Sequence, residues 1–193
     1  WCPFYDGENI VYGGMAKEIF LKDKATLAHI PPRKLSGWLP LNPEHLKRVY
    51  DELVTRYGVT VRFLSRAFEV ETDGAGTVTG VIVLEREGLV CYRARAFVDA
   101  SGDADIAARA GAKFEYGDDQ QKTMPFTHCF IISNVDSYAF QNCYDPTLTG
   151  NWGFRESPIW PIRDSGKYPR VGGLCCNLIG PGTVGVNAGH QPD

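Results

Sequence analysis

Apolar residues recur at helical spacing along the stretch from Pro43 to Gly58. Asn42 is suited to cap this helix, and proline is suited to its first turn. The pattern predicts an amphipathic helix that ends at Gly58. A shorter helix is predicted over residues 15–23, where good helix formers carry one apolar side. The apolar positions of the longer helix are Leu46, Val49, Tyr50, Leu53, Val54 and Tyr57.

Short β-branched and apolar runs follow the longer helix. Residues 59–64 are predicted to form a buried strand, and residues 67–95 a three-stranded meander. Residues 96–100 form another compact apolar run, which leads into a small-residue turn and a helix over residues 104–110. A helix followed directly by a strand predicts an α/β unit.

The second half of the chain is rich in Gly, Pro and aromatic residues. Residues 126–133 alternate as in a strand, and residues 171–189 resemble a Gly-rich hairpin, while residues 136–170 give no clear pattern. The predicted fold class is α/β plus β: helix–strand, three-stranded meander and strand–turn–helix, followed by a mixed α+β domain. The predicted boundary divides residues 1–117 from residues 118–193.

Composition narrows the class of protein. Of the 193 residues, 44% are hydrophobic and 22% charged, which indicates a globular chain. A net charge of -3 and a pI near 5.8 give no electrostatic footprint for nucleic acid. No run of 18 apolar residues and no signal-peptide pattern occurs, so we expect a soluble protein in the cytoplasm with no membrane contact.

The six cysteines include no C-x-x-C pair. A metal site is therefore not predicted. Their low density favours reduced and mostly buried thiols over a disulfide framework.

The stretch FVDASGDADIAA at residues 97–108 is the strongest candidate for chemistry. Exposed amides at a helix start favour an anion or a hydroxyl, and Gly102 permits close approach of a ligand. Asp103 and Asp105 can accept hydrogen bonds from sugar-like hydroxyls. The structural alternative is that Ser101 or Asp103 is only a helix cap.

Three stretches in sequence order carry a resemblance to a known family: FYDGENIVYGGMAKEIF at 4–20, NPEHLKRVYDEL at 42–53 and VDASGDADIAARAGAKFEYGDD at 98–119. Together they resemble the FAD-dependent oxidoreductases with a glutathione-reductase-like FAD-binding fold and an A-T-G-D-G-D turn. This chain departs from that turn by Ser101 in place of Thr and Ala104 in place of Gly. The resemblance covers most of residues 4–119.

The resemblance implies a partial FAD-binding domain over residues 1–117 and a partial substrate-facing domain over residues 118–193. FAD is the implied cofactor, and hydride transfer between flavin and a small organic substrate is the implied reaction. Gly102 and Asp103 are expected to approach FAD near its ribityl and phosphate portion, with Ser101 and Asp105 supporting the turn. The backbone of Ala67 is expected to meet the adenine.

No G-x-G-x-x-G follows a strand in this sequence, although the family grips the cofactor's pyrophosphate with that loop. The resemblance therefore implies an internal fragment that binds FAD weakly or not at all and is inactive by itself. The oligomeric state is not predicted.

Three residues of the second half are candidates to face a substrate. His128 alternates with Phe126, Phe130 and Ile132, where it is either a proton donor or a hydrogen-bonded core histidine. Arg155 and Arg163 lie among aromatic residues, where each is either a clamp for an anionic substrate or a solvated surface residue.

A second functional class also fits the sequence. A non-enzymatic α+β binding or assembly module would use the Ser-Gly-Asp turn only to cap a helix. The absence of a phosphate loop from this sequence motivates that alternative.

Overall fold

The computed structural model describes residues 9–30, 40–124, 126–143, 159–167, 175–188 and 190–191. The chain forms two compact units. One contains Trp1–Val59 and Thr123–Asp193, and the other contains Thr60–Lys122. The boundary predicted at residue 117 stays a prediction.

Two helices lie near the start of the first unit, α1 over Gly14–Lys24 and α2 over Pro43–Arg56. The side chain of Asn42 accepts a hydrogen bond of 3.1 Å from the backbone N–H of His45, so the predicted cap is confirmed. The helices pack together and bury apolar side chains, among them Phe20, Val49 and Leu53. Both predicted helices are therefore present.

A buried carboxylate joins the end of α1 to the start of α2. Asp23 is fully buried, and its Oδ2 accepts a hydrogen bond of 2.9 Å from the backbone N–H of Asn42. Its Oδ1 has no hydrogen-bond partner. Burial raises the pKa of Asp23, and the bond from Asn42 only partly opposes that effect.

The second unit is built on an antiparallel meander. Strand β1 covers Arg66–Thr72, β2 covers Val78–Glu85 and β3 covers Gly88–Tyr92, in the order β1-β2-β3. A short helix, α3 over Asp105–Arg109, packs on β1. The meander predicted over residues 67–95 is confirmed.

The remaining strands belong to the first unit. Strand β4 over Phe126–Thr127 pairs with β8 over His190–Gln191. The other strands are β5 over Phe130–Ser133, β6 over Cys175–Gly180 and β7 over Thr183–Asn187, and they form a sheet in the order β5-β7-β6. Helices α4 over Ser137–Cys143 and α5 over Ile159–Asp164 complete the described elements.

One face of the β5-β7-β6 sheet forms a small hydrophobic core. Leu178, Val184, Val186 and Ala188 are buried there. Half-buried side chains pack against this cluster, namely Val135, Phe140 and Cys176. The hairpin predicted over residues 171–189 is thus present as β6 and β7.

Two predicted strands do not form. Residues 59–64 and 96–100 belong to no strand, and no described strand pairs with them. Phe63 is 78% exposed and Val98 is 91% exposed, so neither stretch is buried as predicted. A strand exists only through hydrogen bonds to a neighbour, which an apolar run does not itself supply.

The alternation predicted over residues 126–133 is interrupted at His128. Strand β4 pairs with β8, whereas β5 pairs with β7, so Phe126 and Phe130 belong to different sheets. All pairings between the described strands are antiparallel. The observed class is therefore α+β, which corrects the α/β unit that the sequence predicts.

Candidate functional site

The turn before α3 has an unusual backbone. Gly102 has a φ of +93°, and Ala104 has φ +56° and ψ +37°, which is the left-handed region. Residues 101–105 are all exposed. A Cβ at Gly102 would have no heavy atom within 4 Å beyond its chain neighbours. The turn therefore leaves room for a ligand to approach its backbone closely.

Asp99 holds the start of α3. Its Oδ2 accepts hydrogen bonds from the backbone N–H groups of Ile106 at 2.9 Å and Ala107 at 2.8 Å, and its Oδ1 accepts one from Ser101 at 3.0 Å. The bond from Ala107 is the main reason that the pKa of Asp99 falls to about 2, and bonds from Ser101 and Ile106 add to it. Asp99 is therefore the principal cap of this helix.

Ser101 supports the same helix start. Its Oγ accepts a hydrogen bond of 2.9 Å from the backbone N–H of Asp105. Together with the bonds to Asp99, this occupies the amides of Asp105, Ile106 and Ala107. Of the two residues proposed as alternatives for the cap, Ser101 therefore makes a capping bond, whereas Asp103 makes none to the described residues.

The hydrogen-bonding groups that remain available to a ligand lie in the turn itself. Within the described residues, no acceptor takes the backbone N–H of Gly102, Asp103 or Ala104. The Asp103 carboxylate is exposed and makes no hydrogen bond to the described part of the chain. The turn therefore presents backbone donors beside one carboxylate acceptor.

Arg109 joins this turn region to the meander. Its Nε donates a hydrogen bond of 2.8 Å to the carbonyl of Phe68, and its Nη1 donates to the carbonyl of Asp105 at 2.8 Å. The Asp105 carboxylate lies 3.2 Å from the same Nη1. Ala67, half-buried on β1, immediately precedes Phe68, and a register shift occurs between Ala67 and Glu69.

Arg109 thus connects the two segments for which the sequence predicts cofactor contacts. Neither Arg109 nor Asp99 is among the candidate residues predicted from the sequence. Asp99 could have been found from its position directly before the small-residue turn. For Arg109 there was no local signal, because Phe68 lies 41 residues away.

A family model for FAD dependent oxidoreductases matches residues 1–173. The chain belongs to that family. Searches of curated proteins and of solved structures gave no significant match. FAD is therefore its cofactor, and redox chemistry with a flavin is its class of activity.

The exposed turn of this FAD dependent oxidoreductase presents backbone donors and a carboxylate acceptor, groups that suit hydroxyl partners. Its fit to a phosphate is poorer, because the helix amides that would bind an anion are already bonded to Asp99 and Ser101. The assignment of Ala67, Ser101, Gly102, Asp103 and Asp105 to the cofactor stays a prediction.

Only one of the three substrate-facing candidates, His128, has a described side chain. His128 is exposed and lies between β4 and β5. Arg155 lies outside the described residues, and Arg163 lies in α5 with its side chain outside the described part.

The cysteines differ from the prediction of mostly buried thiols. Cys91 and Cys129 are exposed, whereas Cys175 and Cys176 are half-buried, and none of these four forms a disulfide. No group of His, Cys, Asp or Glu side chains suited to a metal occurs in the described part of the chain. Likewise, no helix among the described elements has the length and apolar character needed to span a membrane.

Proposed function

We propose that this chain forms part of the FAD site of an oxidoreductase that transfers a hydride between the flavin and a small organic substrate. FAD, when bound, supplies the hydride donor or acceptor. The chain's own residues bind the cofactor and orient it. The observation that carries the proposal is the exposed turn at Gly102 and Asp103, whose amides and carboxylate have no described protein partner.

Asp103 is proposed to accept hydrogen bonds from the ribityl hydroxyls of FAD. A carboxylate repels a phosphate but is a strong acceptor for hydroxyl donors. The neighbouring amides of Gly102 and Ala104 suit an oxygen of the same ligand. We therefore propose that the hydroxyl-bearing part of FAD, instead of its pyrophosphate, lies against the turn.

Asp99 and Ser101 are proposed to orient this turn before the cofactor binds. They hold three amides of α3 at 2.8–2.9 Å, so the helix start has no need of a ligand to satisfy it. A turn that is already ordered loses less conformational entropy on binding. Ala67 is proposed to line the adenine side, with Arg109 connecting its strand to the turn.

The binding module without catalysis is the weaker alternative. It requires the turn to serve only as a helix cap; Ser101 does cap α3, but the exposed Asp103 makes no capping bond to the described residues. Membership of an FAD dependent oxidoreductase family also favours redox chemistry.

The test compares Asp103→Asn with Asp119→Asn in the full-length protein. Both carboxylates are exposed, lie in the second unit and make no hydrogen bond to described residues, so the second is a matched control. FAD affinity is measured by titrating FAD into the apoprotein and following flavin fluorescence.

We expect Asp103→Asn to weaken FAD binding by roughly tenfold, since one charge-assisted hydrogen bond is lost. Asp119→Asn should bind FAD like the wild type. Unchanged affinity in Asp103→Asn would contradict the assignment of the turn, and a full-length protein without flavin would contradict the proposed function itself.

A further inference from the structure

A cavity of about 490 Å³ lies against the β5-β7-β6 sheet. Its volume is in the range of small-molecule sites. All of its described lining residues belong to the first unit. They come from the segment before α2 and from the three strands: Pro40, Leu41, Pro43, Cys129, Phe130, Ile131, Cys175, Asn177, Ile179, Gly185, Val186 and Asn187.

The alternation along β6 and β7 places most of their lining residues on the face opposite the core, and Val186 belongs to both. Leu178 pairs with Val184, and both point to the buried face. Residues at the intervening positions share the other face. There Cys175 pairs with Asn187, and Asn177 pairs with Gly185, so polar and small residues form the floor of the cavity.

Gly185 provides space in the middle of this floor. It lies on β7, the central strand, between β5 and β6. A Cβ at this position would approach Cγ2 of Ile179 to 3.1 Å. A side chain here would therefore require Ile179 to shift and would occupy space in the cavity.

The polar groups of the floor are arranged in two pairs. The thiol of Cys129 donates to Oδ1 of Asn187 at 3.6 Å, and Nδ2 of Asn177 donates to the sulfur of Cys175 at 3.6 Å. Each carboxamide keeps a second polar atom with no partner in the described chain, namely Nδ2 of Asn187 and Oδ1 of Asn177. The floor therefore offers both a donor and an acceptor.

No described lining residue carries a charge. An ionised ligand would give up hydration without gaining an opposite charge, which is costly. A neutral ligand would keep its apolar surface against Ile131, Ile179 and Pro40 while its polar group bonds to the carboxamides.

We propose that this cavity binds a small uncharged organic molecule that carries an amide, hydroxyl or carbonyl group. If the proposed function holds, this ligand is the neutral substrate of the enzyme. The identification as substrate rests on that function, whereas the binding of a neutral ligand does not. The binding itself depends on Gly185, Asn177 and Asn187.

The experiment uses cyclohexanecarboxamide and cyclohexanecarboxylate as probes on the full-length protein with its flavin. The two have similar shape and differ in charge. Binding is read from the rate at which methyl methanethiosulfonate modifies Cys175, with exposed Cys91 in the second unit as an internal control. Peptide mass spectrometry reports each rate.

We expect the carboxamide to protect Cys175 at concentrations on the order of tenfold lower than the carboxylate requires, since only the latter loses hydration of a charge. The rate at Cys91 should not change. Equal protection by both probes, or protection by neither, would overturn the proposal.

Gly185→Val should abolish the protection, whereas Gly180→Val should retain it. Gly180 lies in the same hairpin outside the lining, and a Cβ there meets nothing within 4 Å. If Gly185→Val does not fold, Asn177→Asp serves instead: it adds a charge without adding volume and should reduce carboxamide protection. Retained protection in the variant used contradicts the proposal.

Flavin content is measured on the same samples. Protection without bound flavin would refute the proposed function and leave the cavity assignment intact. Bound flavin without protection would refute the cavity assignment and leave the proposed function intact.

Discussion

Oδ2 of Asp99 accepts a hydrogen bond of 2.8 Å from the backbone N–H of Ala107, eight residues further along the chain. The same oxygen binds the amide of Ile106. One carboxylate therefore closes the loop that contains Gly102 and Asp103 and determines where this turn lies relative to α3. The available atoms of the turn depend on this contact.

Asp99→Asn should lower the Tm at neutral pH. The folded pKa of Asp99 is lowered to about 2, so its charge stabilises the folded state above the ordinary aspartate pKa. That stabilisation is lost as the pH falls toward 2. The difference in Tm between the variant and the wild type should therefore shrink on acidification. A difference that stays constant with pH would count against the charge as the cause.

Ala104→Gly should raise the free energy of unfolding by roughly 0.5–1 kcal/mol, since a left-handed φ is strained for alanine and not for glycine. Ala104 has a φ of +56°. The matched control is Ala108→Gly, which should lower stability by about 1 kcal/mol because Ala108 lies within α3. Urea denaturation measures both, and a destabilised Ala104→Gly would contradict the left-handed backbone.

Arg109→Gln should weaken FAD binding and lower stability by about 1 kcal/mol, since it removes partly exposed hydrogen bonds to two backbone carbonyls. Those acceptors are Phe68 and Asp105. Arg95→Gln is the control, because Arg95 is exposed and makes no described contact. Arg109→Lys should not restore FAD affinity, as one ammonium cannot reproduce the two-sided guanidinium contact.

FAD titration and thermal denaturation separate the two roles of Arg109. A loss of stability without a loss of FAD affinity would assign it a structural role alone. Full rescue by lysine would show that charge is sufficient.

Asp23→Asn should raise the free energy of unfolding at neutral pH. Burial raises the pKa of Asp23, so the buried charge destabilises the fold once the pH exceeds the ordinary aspartate pKa. Below that pH both proteins carry a neutral group, and their stabilities should converge. Exposed Asp51 on α2 provides the control, and Asp51→Asn should show no such pH-dependent gain.

Denaturant titrations between acid and neutral pH test this prediction. Because asparagine keeps an acceptor for the amide of Asn42, a loss of stability at neutral pH would mean that the carboxylate charge is required.

Local features were predictable because their causes lie close together in the chain. Asn42 caps α2 through His45, three residues away, and the meander follows short turns between neighbouring strands. The exposed Ser-Gly-Asp turn was also found, since small residues between an apolar run and a helix indicate it directly.

The strands predicted at residues 59–64 and 96–100 show that local sequence patterns do not determine strand pairing. Apolar, β-branched residues are compatible with an extended backbone, but no described strand pairs with either stretch. Similarly, the regular alternation around His128 gave no warning that its two ends join different sheets.

By itself, the sequence determined the main helix, the meander, the position of the turn and the resemblance to FAD-dependent oxidoreductases, because spacing and residue type act over a few neighbours. Only the tertiary structure decided that Asp99 caps α3, that Arg109 contacts Phe68, and that Gly185 opens a cavity bordered by uncharged described residues. These features depend on hydrogen bonds and packing between residues distant in sequence. The sequence pattern does not reveal such contacts, because they form only when the folded backbone brings the distant residues within a few ångströms of each other.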